Sequence, residues 1–209
     1  MNIALINGSP RGKGSNSGAL LGDLKGVLPA EVSIREFHFS KPMITDQDMK
    51  DLQNCSTWIF AFPLYVDAIP SHLLSCLGQL EQADFKRENI HIYAIVNCGF
   101  YEAKQNRHAV SMMEIWCEKA GLTWEMGIGF GAGGGLSQMK NIPLGKGPKK
   151  NLGIALAELK ETILAKDSKD NLYMSMNYPR FVHKLFAEAG WRKGIKANGG
   201  KVKDLKRQL

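Results

Sequence analysis

The chain lacks what would place it in several large protein classes. No apolar run approaches the ~18–20 residues that a membrane-spanning helix requires. The short apolar opening Ile3-Ala4-Leu5-Ile6 is cut off at once by Asn7-Gly8-Ser9-Pro10. A signal peptide is therefore not expected, and a cytoplasmic location is. Only four cysteines occur, Cys55, Cys76, Cys98 and Cys117. They form no CxxC pair and no Cys/His pair with ligand spacing, so neither an iron–sulfur cluster nor a zinc site is expected. Reduced, mostly buried thiols fit such scattered positions. His38, His72, His91, His108 and His183 show no triad spacing, and structural or surface roles are expected for each. No internal repeat or low-complexity tract appears.

What is present is a hydrophobic fraction of 44% in 209 residues, enough for one sizeable core and an appendage. The charge is unevenly placed. Residues 180–209 hold nine Lys/Arg against two Asp/Glu, which is the whole of the chain's +7, and the remaining residues hold eighteen of each.

Apolar, β-rich runs alternate with helical ones. Strands are expected at Ile3–Ile6, Val32–Phe37, Thr57–Phe62, Ile90–Val96 and Leu122–Ile128. Helices are expected at Ser15–Val27, Asp46–Leu52, Pro70–Leu80, Lys104–Ala120 (with Gly121 as C-cap) and Asn151–Lys166. Strands that alternate with helices predict βαβ units, and the continuous apolar strands predict a parallel sheet covered on both faces. A break is expected around Asp167–Met176, before a final basic helix from about Tyr178 to Ala197.

The loop Asn7–Ser17, NGSPRGKGSNS, leaves the first strand and enters the first helix. Three readings of it compete. As an ATP-binding loop it fails at two defining positions: aligned on Gly12-Lys13, it has Asn7 for the first glycine and Gly14 for the metal-binding hydroxyl. As a dinucleotide loop it has Gly12-x-Gly14 but Ser17 for the last glycine. The GIGFGAGGG run, Gly127–Gly135, matches that pattern several times, yet no helix follows directly as the motif requires. As a mononucleotide loop it offers the hydroxyls of Ser9, Ser15 and Ser17, the Asn16 amide and a helix N-terminus, which suits a terminal phosphate without a metal. The plainer alternative makes Ser15 and Ser17 ordinary N-caps. A phosphate loop after the first strand predicts that the loops after strands three and four line the rest of the ligand. Those loops, FPLYVDAIP and NCGFYE, are rich in aromatics and could flank a planar ring, or pack into a core or a dimer interface.

GSPR with its following serines, the segment PLYVDAIPSHLLSCL and the loop NCGFYE resemble the NAD(P)H-dependent FMN reductases of the flavodoxin-like superfamily. The resemblance covers roughly Met1–Lys166. It implies an α/β fold with a five-stranded parallel sheet of order 2-1-3-4-5, helices on both faces, bound FMN and a homodimer. An FMN-binding domain at 1–166 and a basic helical extension at 167–209 follow from it. Ser9, Arg11, Ser15, Asn16 and Ser17 fall on the family's phosphate loop. Pro63, Leu64, Tyr65 and Val66 fall on one flavin-flanking loop, and Asn97, Gly99 and Phe100 on the second. The implied activity is hydride transfer from NADH or NADPH through flavin N5 to a small acceptor: a quinone, nitro compound, metal ion or free flavin. No side chain is then expected to act as nucleophile or acid/base. Backbone N–H groups of residues 97–100 are the expected tuners of N5. Cys98 within this loop is expected to be a packing residue. The alternative class is a non-catalytic electron carrier or flavin-state sensor.

The basic segment NYPRFVHKLFAEAGWRKGIKANGG places Phe181, Val182, Leu185, Phe186 and Ala189 on one stripe, with Lys184, Arg192, Lys193 and Lys196 elsewhere. The favoured reading is a helix docked on the domain or a dimer partner. Others are recognition of the NADPH phosphate or an acidic substrate, and peripheral attachment to an anionic membrane. Nucleic acid is not expected, since no stacking platform accompanies the charge.

Overall fold

In a computed structural model the chain is described over residues 1–11, 14–84 and 89–206. Gly12 and Lys13, on which the ATP-loop alignment turns, lie outside them. Two compact units result, Met1–Met176 and Asn177–Leu209.

The first unit is built on a parallel sheet of β1 (Asn2–Asn7), β2 (Ser33–His38), β3 (Thr57–Pro63), β4 (His91–Asn97), β5 (Thr123–Gly131) and β6 (Leu172–Ser175). The spatial order is β2-β1-β3-β4-β5-β6. The central strands β3 and β4 are buried except at Pro63 and His91, because helices cover both faces of the sheet. Helices α1 (Asn16–Lys25) and α5 (Lys150–Ala165) contact each other, as do α3 (Ser71–Gln82) and α4 (Arg107–Ala120). Trp58, Phe60 and Phe62 of β3 pack with Leu73 and Leu77 of α3 and Met113 and Trp116 of α4. The short α2 (Asp46–Leu52) starts at Thr45, whose side chain accepts from Asp48 N. Gly121 ends α4 in the left-handed conformation, φ 67°, where a residue without Cβ is unstrained.

The five-strand expectation is corrected by β6. Its four residues, LYMS, are all only half buried, and the flanking Asp170, Asn171 and Asn177 gave no apolar run to signal a strand. Pairing with β5 makes it one. Gly129 is the register partner of Tyr173, and a Cβ on Gly129 would lie 2.5 Å from the tyrosine ring. The same reasoning accounts for the repeated glycines of GIGFG. A Cβ on Gly127 would meet Val110 at 2.5 Å, and one on Gly131 would meet the Tyr101 carbonyl at 2.4 Å. Glycine at every second position strips one face of β5 so that its neighbours can approach. The run is a packing face, not a dinucleotide loop.

The second unit contains α6 (Arg180–Ala197), none of whose residues is buried. At about 100° per residue, Arg192, Lys193 and Lys196 fall on the same side as the stripe Phe181, Val182, Leu185, Phe186 and Ala189, farther along. Lys184 lies opposite, with Trp191. The expectation that all four basic residues stand off the stripe is corrected for three of them, because one unbroken helix carries both segments.

Candidate functional site

The register of the sheet brings three loops to one edge. Asn7 ends β1 opposite Ala61, Pro63 of β3 pairs with Asn97 of β4, and Asn97 pairs with Phe130 of β5. The loops that leave β1, β3 and β4 therefore rise side by side from the C-terminal ends of adjacent strands.

In the first loop the hydroxyls share one bonding pattern. Ser15 is the N-cap of α1, and its Oγ accepts from Gly18 N at 3.0 Å and from Asn7 Nδ2 at 3.2 Å. Ser17, 1% exposed, accepts from Asn97 Nδ2 at 2.9 Å. Ser9 is buried, and its Oγ accepts from Arg11 N at 3.3 Å. A hydroxyl has two acceptor lone pairs and one donor proton. Here the acceptor sides are engaged, while the three O–H protons have no acceptor among the described residues. The Asn16 and Ser17 amides, in the first turn of α1, also have none there, as expected at a helix N-terminus. The loop carbonyls are held elsewhere: the His72 and His38 rings donate through Nε2–H to Gly8 O and Ser9 O, each at 3.1 Å. The loop thus gathers donors of hydrogen bonds and turns acceptors aside. Positive dipole from α1 adds to this. An anion is the ligand such a donor set fits.

Asn16 ties this loop to the segment after β5. Its Nδ2 donates to Gly134 O at 3.1 Å, and its Oδ1 accepts from Ser137 N at 2.8 Å. Asn97 joins all three strands' loops, since it also donates to Phe62 O at 3.0 Å and its carbonyl accepts from Leu64 N at 2.8 Å. A cavity of about 610 Å³ opens beside α1, lined by Asn7, Ser15, Gly18, His38, Lys140 and Lys149 among others. Lys149 is almost fully buried and is held by Asp23 at 2.7 Å.

The second loop projects apolar groups. Tyr65 and Ala68 exchange backbone hydrogen bonds across Val66-Asp67, and both of those residues have positive φ, 49° and 57°. Such a turn favours Asn-Gly, so a β-branched residue there is strained. Val66 is 99% exposed at its tip. The third loop exposes Phe100 and the bare backbone of Gly99, whose Cβ would meet nothing within 4 Å. Pro63 and Leu64 are half buried at the base.

Of the residues singled out in the sequence, hydrogen bonds join Ser17 and Leu64 to Asn97, and Ser9 and Ser15 to Asn7, while Asn16 bonds to Gly134 and Ser137 and Pro63 lies level with Asn97 in the sheet. Phe100 is tied to the segment after β5 by Ala132 N, which donates to its carbonyl at 2.5 Å, and Gly133 N donates to Cys98 O at 2.9 Å. Among the described residues Arg11 is exposed and bonded only through its backbone, and Tyr65 and Val66 are exposed. Asn7, His38 and His72 were missed. The signal for His38 was its place at the end of β2, level with Asn7 in the neighbouring strand.

Cys98 is buried, donates to Phe100 O at 3.6 Å and accepts from Asn106 Nδ2 at 3.4 Å. Burial pushes its thiol above the usual value, and that of Cys76 up to about 11. A thiol so raised is protonated at neutral pH and unreactive. In native protein at neutral pH, iodoacetamide should therefore alkylate Cys76 and Cys98 at less than about a tenth of the unfolded rate, as read by peptide mass spectrometry. Fast native labelling of Cys98 would contradict its role as a packing residue.

No family model and no curated protein matches the chain. Solved structures do. The NAD(P)H:quinone oxidoreductase of Methanothermobacter marburgensis aligns over 78% of this chain and 96% of its own, with TM-score 0.56 and 10% identity. A putative quinone reductase from Klebsiella pneumoniae aligns over 80% and 86%, with TM-score 0.55 and 12% identity. An FMN-dependent NADH-azoreductase from Bacillus anthracis, in complex with FMN, aligns over 77% and 100%, with TM-score 0.51 and 13% identity. The chain shares their flavodoxin-like fold.

Proposed function

We propose that this flavodoxin-like chain is an FMN-dependent oxidoreductase of the NAD(P)H-dependent FMN reductase family. It takes hydride from NADH or NADPH and passes it to a small acceptor such as a quinone, nitro compound, metal ion or free flavin. We further propose that it works as a cytoplasmic homodimer. The observation that carries the reading is the set of unspent O–H and N–H donors at Ser9, Ser15, Asn16 and Ser17, gathered at the start of α1 with loop carbonyls drawn away. The solved structures of like fold, one of them with FMN, support it.

The residues fit the cofactor at both of its ends. Ser9, Ser15, Asn16 and Ser17 would hold the phosphate, with the Arg11 guanidinium near enough in sequence to neutralise it from solvent. Pro63, Leu64, Tyr65 and Val66 would flank one side of the ring system, and Asn97, Gly99 and Phe100 the other. Bound there, the flavin supplies hydride acceptance and delivery at N5. The chain's own contribution is placement and electrostatics. Asn97 holds the first and third loops at a fixed separation, and Asn16 fixes the α1 start against residues 134–137. Gly99, open around its Cα, would leave main-chain N–H groups accessible to the ring. Tyr65 and Val66 on one side and Phe100 on the other, exposed as they stand, would shield the bound ring from water.

The test is optical. Purified protein, or protein reconstituted with FMN, should show flavin absorption that NADH or NADPH bleaches without oxygen and a quinone restores. A chain that takes up no FMN overturns the reading. A bound flavin that neither nicotinamide reduces would point instead to an electron carrier or sensor.

A further inference from the structure

The second compact unit presents what the first does not: large apolar side chains in water beside a concentrated positive charge. Phe181, Leu185, Phe186 and Trp191 are each 62–72% exposed. A helix of 18 residues with no buried residue gains little from its own backbone, since isolated helices are marginal in water. Tyr178 packs edge-on against Phe186 and stacked on His183, which stiffens the start of α6 while Phe186 stays 62% exposed.

We propose that one side of α6 binds an anionic lipid surface. That side carries Phe181, Leu185 and Phe186 over its first half, then Arg192, Lys193 and Lys196. The order suits a helix whose beginning dips among acyl chains while its end lies level with the lipid phosphates. Glu188 pairs with Arg192 at 3.2 Å, in an exposed ion pair that a phosphate can replace. Lys184 and Trp191 face away. Charge decides between a bilayer and a second copy of the chain. Residues 180–209 carry a surplus of seven positive charges, and the rest of the chain carries equal numbers of each sign. Two copies of this face would repel, whereas an anionic leaflet attracts each basic group by about fivefold in affinity. No described helix is long and apolar enough to cross a membrane, so the contact is peripheral.

The full chain should sediment with vesicles of phosphatidylcholine mixed with phosphatidylglycerol, more weakly in high salt, and not with phosphatidylcholine alone. Replacing Arg192, Lys193 and Lys196 together by Gln should lower partition about a hundredfold. Phe181→Ser with Phe186→Ser should lower it by at least about tenfold. Trp191→Ala, on the opposite side, should leave it unchanged. No binding to anionic vesicles overturns the proposal, as does equal binding to neutral ones or an equal loss with Trp191→Ala. So does a Phe181/Phe186 variant that turns a dimer into monomers without changing vesicle binding, for a second copy then covers the face. Binding to duplex DNA without binding to vesicles also overturns it.

Discussion

In the double variant Ser15→Ala, Ser17→Ala, affinity for FMN should fall about a hundredfold. The two hydroxyls accept from Gly18, Asn7 and Asn97, so each has its proton left to donate. A hydrogen bond to a charged group contributes roughly 1.5–3 kcal/mol, and two at the lower end amount to about 3 kcal/mol, or two orders of magnitude. The fold should survive. Losing the N-cap costs about 1 kcal/mol, and Asn97 Nδ2 keeps Phe62 O as an acceptor. Titration by flavin fluorescence measures the affinity, and circular dichroism checks the fold. Cofactor retained at the parent affinity would mean that these serines serve only as cap and strut.

The largest expected loss of stability is at Gly131. An added Cβ would lie 2.4 Å from Tyr101 O and 2.7 Å from Ala103 N. Both are backbone atoms, which cannot rotate aside as a side chain does. The end of β5 and the turn after β4 would have to part, and with them Ser175, whose hydroxyl donates to Tyr101 O. Gly131→Ala should cost about 3 kcal/mol, a fall in Tm of roughly 6–12 °C for a chain of this size. Gly78 within α3 is the contrast, because nothing lies within 4 Å of its added Cβ. There alanine should stabilise by about 0.5–1 kcal/mol. Thermal unfolding of the two variants decides the matter: equal shifts would mean that β5 can relax.

The first five strands and the helices between them were legible because each is set by a local pattern. TWIFAF and IHIYAIV are continuous apolar runs, and the Ser15 and Gly121 ends of helices follow from side-chain and backbone chemistry within a few residues. β6 was not legible, since LYMS becomes a strand only through the bare face of β5, more than forty residues earlier in the chain. The glycines carried the clue, with a period of two, but the density of glycine in GIGFGAGGG hid it among loop motifs. The serines of the first loop could be named from sequence. Which of their lone pairs would be occupied depends on Asn97, eighty residues away. The bracing of Gly8 O and Ser9 O by His72 and His38 likewise exists only once β2 and α3 are folded against β1.

The turn at Val66-Asp67 holds two side-chain-bearing residues where Asn-Gly would sit at ease. A redesign that wrote Asn-Gly there would relax the hairpin and gain thermal tolerance. It would also remove the exposed Val66 side chain, so that at the proposed flavin site durability and grip on an incoming guest are set against each other in a single dipeptide.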